Sequence, residues 1–244
     1  MSIEPTCHYC GLVEKGHCRT ADEAEDCPHA PVAGKGPVIR TGPLAGLRRQ
    51  HYGVIYADPP WAFKTYSDSD RGTVPHRAEE APYESMTRQE LLALPVNEIA
   101  AKDCILHMWV ISSHLDQAFE LAARWGFAFK SLGMVWVKTQ KGDPETPKMG
   151  MGHWFRQEAE VCLLFTKGKP TRVGKGVRQT ILEPAREHSR KPDAGYERVE
   201  ALSAGPYVEL FSRSSRDGWD AMGNERGKFD KLDPLEEAEI GDLV

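Results

Sequence analysis

Asp58-Pro59-Pro60-Trp61 sets an acid, two residues without an N–H and an indole side by side. The run before it, Val54-Ile55-Tyr56, is β-branched and aromatic, which favours a half-buried strand. Proline cannot donate to a sheet ladder, so that strand has to stop at Asp58. The carboxylate then sits at the carboxyl end of a buried strand, the edge where open α/β sheets bind ligands. The prolines stiffen the turn and offer carbonyl acceptors, and Trp61 adds a flat π-face. A carboxylate, acceptor carbonyls and a stacking ring suit a planar base that carries an amino group.

A second cluster could hold a metal. Four of the six cysteines fall in the first 27 residues, as Cys7, Cys10, Cys18 and Cys27, with His8, His17 and His29 nearby. Cys7-His8-Tyr9-Cys10-Gly11 looks like a zinc knuckle, in which two thiolates approach one ion from a tight turn. Clustered cysteines in a cytosolic chain point to metal rather than disulfides. A segment with almost no apolar residues also needs such a staple to fold. The expectation is one Zn2+ held by these four cysteines. The opposing reading, a reduced and disordered tail, stays open.

The elements that must position these groups are legible in outline. The 244 residues suffice for one good-sized domain with appendages. The reading is residues 1–35 as a Cys/His-rich segment, 36–228 as the main domain and 229–244 as an acidic tail. The Gly/Pro-rich stretch 31–43 reads as a linker. Strands are expected around 54–58, 104–110, 132–138, 159–166, 177–182 and 207–211. Thr87-Arg88-Gln89-Glu90 matches a capping box and starts a short helix. Ser112 or Ser113 is expected to cap a second helix, with Leu115, Phe119, Ala122 and Ala123 as its stripe and Gly126 at its end. Pro192 opens a third, with Tyr196, Val199 and Leu202 inward and Gly205 ending it. Residues 62–82 and 139–153 read as long polar loops. Strands alternating with helices give an α/β fold, a mostly parallel twisted sheet with helices on both faces. Cys104 and Cys162 read as packing residues, and His107 as a satisfied core histidine.

Charge and hydropathy narrow the function. No apolar run reaches the roughly 18 residues needed to span a bilayer, and the first residues lack the basic-then-apolar pattern of a signal peptide. The chain reads as cytoplasmic with no membrane role. Formal net charge is −5, but Lys130 to Lys191 carries thirteen Lys/Arg against six Asp/Glu, while Phe229 to Val244 carries six acids against one lysine. A basic middle with an acidic tail is compatible with a phosphate-binding face.

With these elements placed, the chain resembles the DPPW adenine-N6 methyltransferases, the family of the messenger-RNA adenosine methyltransferase catalytic subunit, with bacterial and phage members. The likeness covers about Tyr52 to Glu225. It rests on an ordered series: Ala57-Asp58-Pro59-Pro60-Trp61; Pro82-Tyr83 before Met86; 106–110; Val135-Trp136-Val137-Lys138-Thr139; Gly152-His153-Trp154; Ser189-Arg190-Lys191-Pro192-Asp193; Val208-Glu209-Leu210-Phe211-Ser212-Arg213; and Gly223-Asn224-Glu225.

The resemblance implies a Rossmann-like class I fold in permuted motif order, with S-adenosylmethionine as methyl donor. It implies that Asp58, Pro59, Pro60 and Trp61 are catalytic, that Asp58 and Pro59 hold the target amine, and that Trp61 and Tyr83 flank the adenine. Donor contacts would come from Asp58, Lys191, Glu209, Phe211, Arg213, Ser215, Arg216, Asn224 and Glu225. Lys64 and Glu160 would touch the acceptor nucleotide.

An adenine amine is a poor nucleophile because its lone pair is delocalised into the ring. Acceptors on both its hydrogens favour a pyramidal nitrogen whose lone pair can face the sulfonium methyl, by positioning and electrostatics alone. In a duplex the base must first leave the stack. Basic residues of the two loops, Lys64, Arg71, Arg77, Lys141 and Lys148, are candidates for phosphate contacts. The sequence reading is therefore an adenine-N6 methyltransferase acting on nucleic acid, DNA first and RNA second. The alternatives are a non-catalytic nucleic-acid-binding subunit of the same fold, and a transferase acting on a glutamine amide. Whether a homodimer or a partner subunit completes the enzyme is left open.

Overall fold

The computed structural model describes residues 36–61, 85–150, 154–186, 190–224, 227–228 and 230. Cys7, Cys10, Cys18, Cys27, Lys64, Tyr83 and Glu225 lie outside the described residues, as do Arg71 and Arg77.

Eight strands among the described residues form one sheet: β1 Tyr52–Ala57, β2 Ala100–Val110, β3 Ala128–Gln140, β4 Asp143–Pro147, β5 Ala159–Lys167, β6 Thr180–Pro184, β7 Tyr207–Leu210 and β8 Trp219–Met222. The order is β4-β3-β5-β2-β1-β7-β8, with β6 also paired to β3. Strands β2, β1, β7 and β8 are mutually parallel neighbours. β5 runs antiparallel to both β2 and β3, and β4 antiparallel to β3, so the sheet is mixed but mostly of one direction.

Three α-helices among the described residues cover the two faces: α1 Arg88–Ala93, α2 Leu115–Arg124 and α3 Asp193–Leu202. Side chains alternate along a strand, so β1 serves two cores. Ile55 and Ala57 join α1 and α2 through Leu91, Leu121, Ala122 and Trp125. Val54 and Tyr56 point the other way, into a smaller core with Trp109, Trp136 and α3's Tyr196 and Val199. Burial on both faces explains why β1 reads as an unbroken apolar run. Ile39, Leu44 and Leu47 also join the larger core, so the stretch expected as linker is anchored to the domain at Ile39, while residues 40–43 stay exposed.

Local chemistry accounts for the helix ends. Thr87 and Glu90 make both halves of the capping box. At α2 neither serine caps. Ser112–His114 forms a 3-10 turn, the N-cap is His114, and Ser113 pairs with the His114 ring instead. The helix therefore starts later and its inward face is Ala118, Leu121 and Ala122, while Leu115 and Phe119 remain exposed. Phe119 packs edge-on to Phe129 and Phe165 at the sheet margin. Gly126, at φ +89°, ends the helix as expected. Pro192 is the N-cap of α3 rather than its first residue, and Ser203 the C-cap rather than Gly205. The stretch 143–147 is strand rather than loop. His107 is a core residue, but neither ring nitrogen has a partner among the described residues, and burial pushes it down to about 4. No helix among the described residues is long and apolar enough to cross a membrane.

At Gly195, α3 lies close against β1. A Cβ there would lie 2.7 Å from the Tyr56 hydroxyl, which the Trp109 indole N–H already holds at 2.6 Å. Alanine gains about 1 kcal/mol in helix propensity. Overpacking a fixed hydroxyl costs about 1–3 kcal/mol, so Gly195→Ala is expected to lower the urea midpoint with m unchanged. A midpoint at or above wild type would contradict this packing.

Candidate active site

The parallel strands end in register. Ala57 pairs with Leu210 and Leu210 with Met222, so Asp58, Phe211 and Gly223 leave the sheet at one level. Beyond these ends lies a cavity of about 810 Å³. Its walls include Asp58, Pro59 and Pro60 after β1, Phe211, Ser212 and Arg213 after β7, and Gly223 and Asn224 after β8. Met86, Glu90 and Leu94 close the α1 side. The Pro59 carbonyl accepts the Trp61 N–H at 2.8 Å and the Pro60 carbonyl accepts the Met86 N–H at 2.9 Å. These two bonds fix the turn, and each carbonyl oxygen keeps its second lone pair.

Asp58 shares the parity of Tyr56 and reaches the α3 face as well as the cavity. There its Oδ2 meets the Lys191 ammonium at 2.7 Å. Lys191 also lies 3.2 Å from Glu160 Oε2 and 5.6 Å from the centre of the Trp109 ring. Glu160 in turn pairs with Lys138. Trp136 faces Glu160 across β3 and β5, which places Lys138, two residues on, over the same face. Four charges of alternating sign thus run from the cavity edge across three strands and the segment before α3.

This fold, with its strand-end cavity and Asp58-Pro59-Pro60 turn, coincides with a family match. Residues 52–225 match MT-A70. The chain belongs to the MT-A70 family. It is 33% identical over 193 residues to the Type II methyltransferase M.MunI of Mycoplasma sp, spanning 73% of this chain and 79% of that one. It is 32% identical to a putative N(6)-adenosine-methyltransferase MT-A70-like protein of Medicago truncatula, over 71% of this chain and 26% of that one. It is 29% identical to the N(6)-adenosine-methyltransferase catalytic subunit METTL3 of Homo sapiens, over 75% of this chain and 30% of that one. The chain therefore spans less than a third of the length of these last two.

In this MT-A70 chain the described site residues fall in four places. Asp58, Pro59, Pro60, Phe211, Arg213 and Asn224 line the cavity. Lys191 and Glu160 stand behind Asp58, and Glu209 stands behind Ser212, to which it is bonded. Ser215 and Arg216 are not among the lining residues. The Ser215 N–H donates to Asp230, and Arg216 is held by Glu200 of α3 while lying over the Tyr196 ring. Trp61 is only 4% exposed and packs in the larger core beside the His114 ring. Its indole N–H has no partner among the described residues.

Three contributors escape a reading of the sequence. Ser212 is hidden because its role depends on a register between β7 and β8. Lys138 sits inside a quoted motif, but only the strand pairing shows what it touches. Tyr196 reads as a stripe residue, yet its hydroxyl carries a bond to Glu209 at 2.8 Å.

Electrostatics sharpen the picture. Burial alone would push the Lys191 ammonium down, but Asp58 and Glu160 beside it hold it above its ordinary range. Burial works to raise the Glu160 carboxyl, and Lys191 and Lys138 more than offset that and hold it low. A lysine raised in the fold stabilises below its ordinary range and loses that effect as pH rises through the folded value. A carboxyl held low stabilises above its ordinary value of 4.5 and loses it as pH falls further. The cluster is thus at full strength between roughly pH 5 and 10. Lys191→Met, which leaves Asp58 and Glu160 without the ammonium between them, is expected to cost about 3–5 kcal/mol at pH 7, with the deficit shrinking in acid as Glu160 loses its charge. Urea melts across pH check this, and a deficit independent of pH would contradict it.

Proposed function

We propose that this protein transfers a methyl group from S-adenosylmethionine to the N6 amine of adenine in nucleic acid, with DNA the first polymer to test and RNA the second. The observation that carries the reading is Asp58, which lines the strand-end cavity while its far oxygen is pinned by Lys191. Membership of the MT-A70 family supports it.

The cavity suits the donor. Its volume lies within the roughly 300–1,000 Å³ of small-molecule sites. Its lining combines Arg213, Asn224 and Glu90 with apolar Met86, Leu94, Phe211 and Met222, a match for a ligand with a charged amino-acid end and a nucleoside end. Gly223 is a close approach, since a Cβ there would lie 2.1 Å from the Ser212 carbonyl oxygen, and a bare backbone keeps the wall thin. When bound, the donor supplies an electrophilic methyl on a sulfonium sulfur.

The protein's part is to make the amine a nucleophile. With Oδ2 held by Lys191, Asp58 turns its other oxygen to one amine hydrogen. The second lone pair of the Pro59 carbonyl takes the other. The nitrogen is then drawn towards a pyramidal shape with its lone pair free. After methyl transfer the nitrogen is positively charged and acidic, and Asp58 or a water takes the proton. Glu160, 3.2 Å from Lys191, keeps the ammonium from swinging away from Asp58. Stacking of the adenine on Trp61 draws no support from the ring's buried place against His114. Asp58 and Pro59 carry the acceptor side. In the N-terminal segment, we propose that Cys7, Cys10, Cys18 and Cys27 bind one Zn2+, a reading supported by their spacing.

Asp58→Asn keeps the size of the side chain and removes the charge. It is expected to lower methylation at least about a hundredfold, while the protein stays folded and still binds S-adenosylmethionine by calorimetry. Methylation within a few-fold of wild type would sink the assignment. For the metal, elemental analysis of unchelated protein is expected to find about one zinc per chain; well under one equivalent would refute the site.

A further inference from the structure

Behind the donor side of the pocket lies a carboxyl that the mechanism does not use. Glu209 is on β7, opposite Tyr56, and buried on the α3 face. Its Oε1 accepts from the Tyr196 hydroxyl at 2.8 Å, and its Oε2 lies 2.7 Å from the Ser212 hydroxyl. The Ser212 Oγ is also 2.6 Å from the Ser214 carbonyl, and it accepts the Ser214 N–H at 3.3 Å.

Counting protons in this network decides its state. A serine hydroxyl has one hydrogen. Two acceptors, Glu209 Oε2 and the Ser214 carbonyl, lie within reach of it. If Glu209 is a carboxylate, one short contact is left as oxygen facing oxygen with no hydrogen between. If Glu209 is a neutral acid, every contact is satisfied. Tyr196 donates to Oε1, the Oε2 hydroxyl donates to Ser212 Oγ, and Ser212 donates to the Ser214 carbonyl.

This network holds the pocket wall. Phe211 and Ser212 line the cavity. Phe211 has φ +66°, a left-handed conformation that a non-glycine residue keeps only when its surroundings enforce it. The enforcing contacts converge on Ser212: its side chain meets Glu209 and Ser214, and its N–H donates to the Met222 carbonyl at 2.9 Å.

We infer that Glu209 is a positioning residue that holds the 211–213 wall of the donor pocket as a neutral carboxylic acid, donating its own proton to Ser212. The inference rests on reading the cavity as the donor pocket. Surrounding charges agree with it. Burial pushes the Glu209 carboxyl up to about 7, against the two hydroxyls that favour its charge; Asp58 at the end of β1 adds to the rise and Arg213 opposes it. Ionisation would leave the single Ser212 hydrogen to serve two acceptors, so one of those links breaks and the wall loosens, and donor affinity falls as pH rises through that value.

Glutamine copies the neutral acid, with an amide N–H for Ser212 and an oxygen for Tyr196. The test is calorimetry of S-adenosylmethionine with the full chain, wild type and Glu209→Gln, from pH 6 to 9. Titration of the donor itself is common to both proteins and cancels in their ratio. At pH 6 the two should bind within about threefold, and by pH 9 the variant should bind about tenfold tighter than wild type. Without donor, the thermal midpoint of Glu209→Gln should also move ahead of wild type as pH rises from the ordinary carboxyl value of 4.5 to about 7 and hold that lead above it, because a carboxyl raised in the fold loses stability across that window. A ratio that stays constant with pH, or a folded variant that cannot bind at pH 6, overturns the inference. Should that variant fail to fold, Tyr196→Phe removes a donor that favours the charged form, and it should move the midpoint of the wild-type pH profile upward; an unmoved midpoint overturns the inference equally. Wild type that binds no donor at any pH overturns the pocket reading itself.

Discussion

A single ammonium, that of Lys191, is held out of water between Asp58 and Glu160, and the position of the proposed reacting group depends on it. Such a cluster is a poor way to gain stability, because desolvating three charges costs several kcal/mol each and apolar residues of similar volume often do as well. What it gives is direction. A carboxylate at a strand end has a free χ rotation and two equivalent oxygens. Pairing with Lys191 fixes one oxygen on the α3 face and leaves the other towards the cavity.

The division of labour between the two faces of the sheet follows from the alternation along β1. The larger core, with α1 and α2, supports the cavity's outer wall through Met86, Glu90 and Leu94. The α3 face supplies supports set back from the cavity lining: Lys191 behind Asp58, and Tyr196 through Glu209 behind Ser212. One short helix and the residue pair before it thus set both Asp58 and the 211–213 wall, the proposed acceptor and donor halves. Tight packing of Gly195 against Tyr56 keeps that helix at its level on the sheet. A shift of α3 would therefore disturb both of these proposed halves together.

Much of this was legible where local chemistry is strong. β1 and its proline stop, the capping box at Thr87 and the Gly126 terminator each follow from residues a few positions apart, and each is present. The misses are elements whose existence depends on partners far away in sequence. β4 holds two prolines and no large apolar side chain, a composition tolerated only at an exposed edge. β8 has four residues and exists because β7 offers an open edge. On α2, the 3-10 turn at Ser112–His114 displaced the start of the helix and with it the inward stripe. Site residues divide the same way. Asp58 announces itself by its neighbours, whereas the paired roles of Lys138, Ser212 and Tyr196 appear only once strands and helix are side by side. Trp61 is the converse case, since an indole beside such a turn suits a stacking face and a core equally, and here the ring is buried.

The central claim is chemical, and one measurement addresses it directly. Wild-type protein is incubated with S-adenosylmethionine carrying an isotopically labelled methyl group, once with DNA and once with RNA, and the polymers are digested to nucleosides for mass spectrometry. The account predicts label on adenine at N6, in at least one of the two polymers. Label on another base or at another position of adenine, or no label in either polymer from protein that binds the donor, would contradict it.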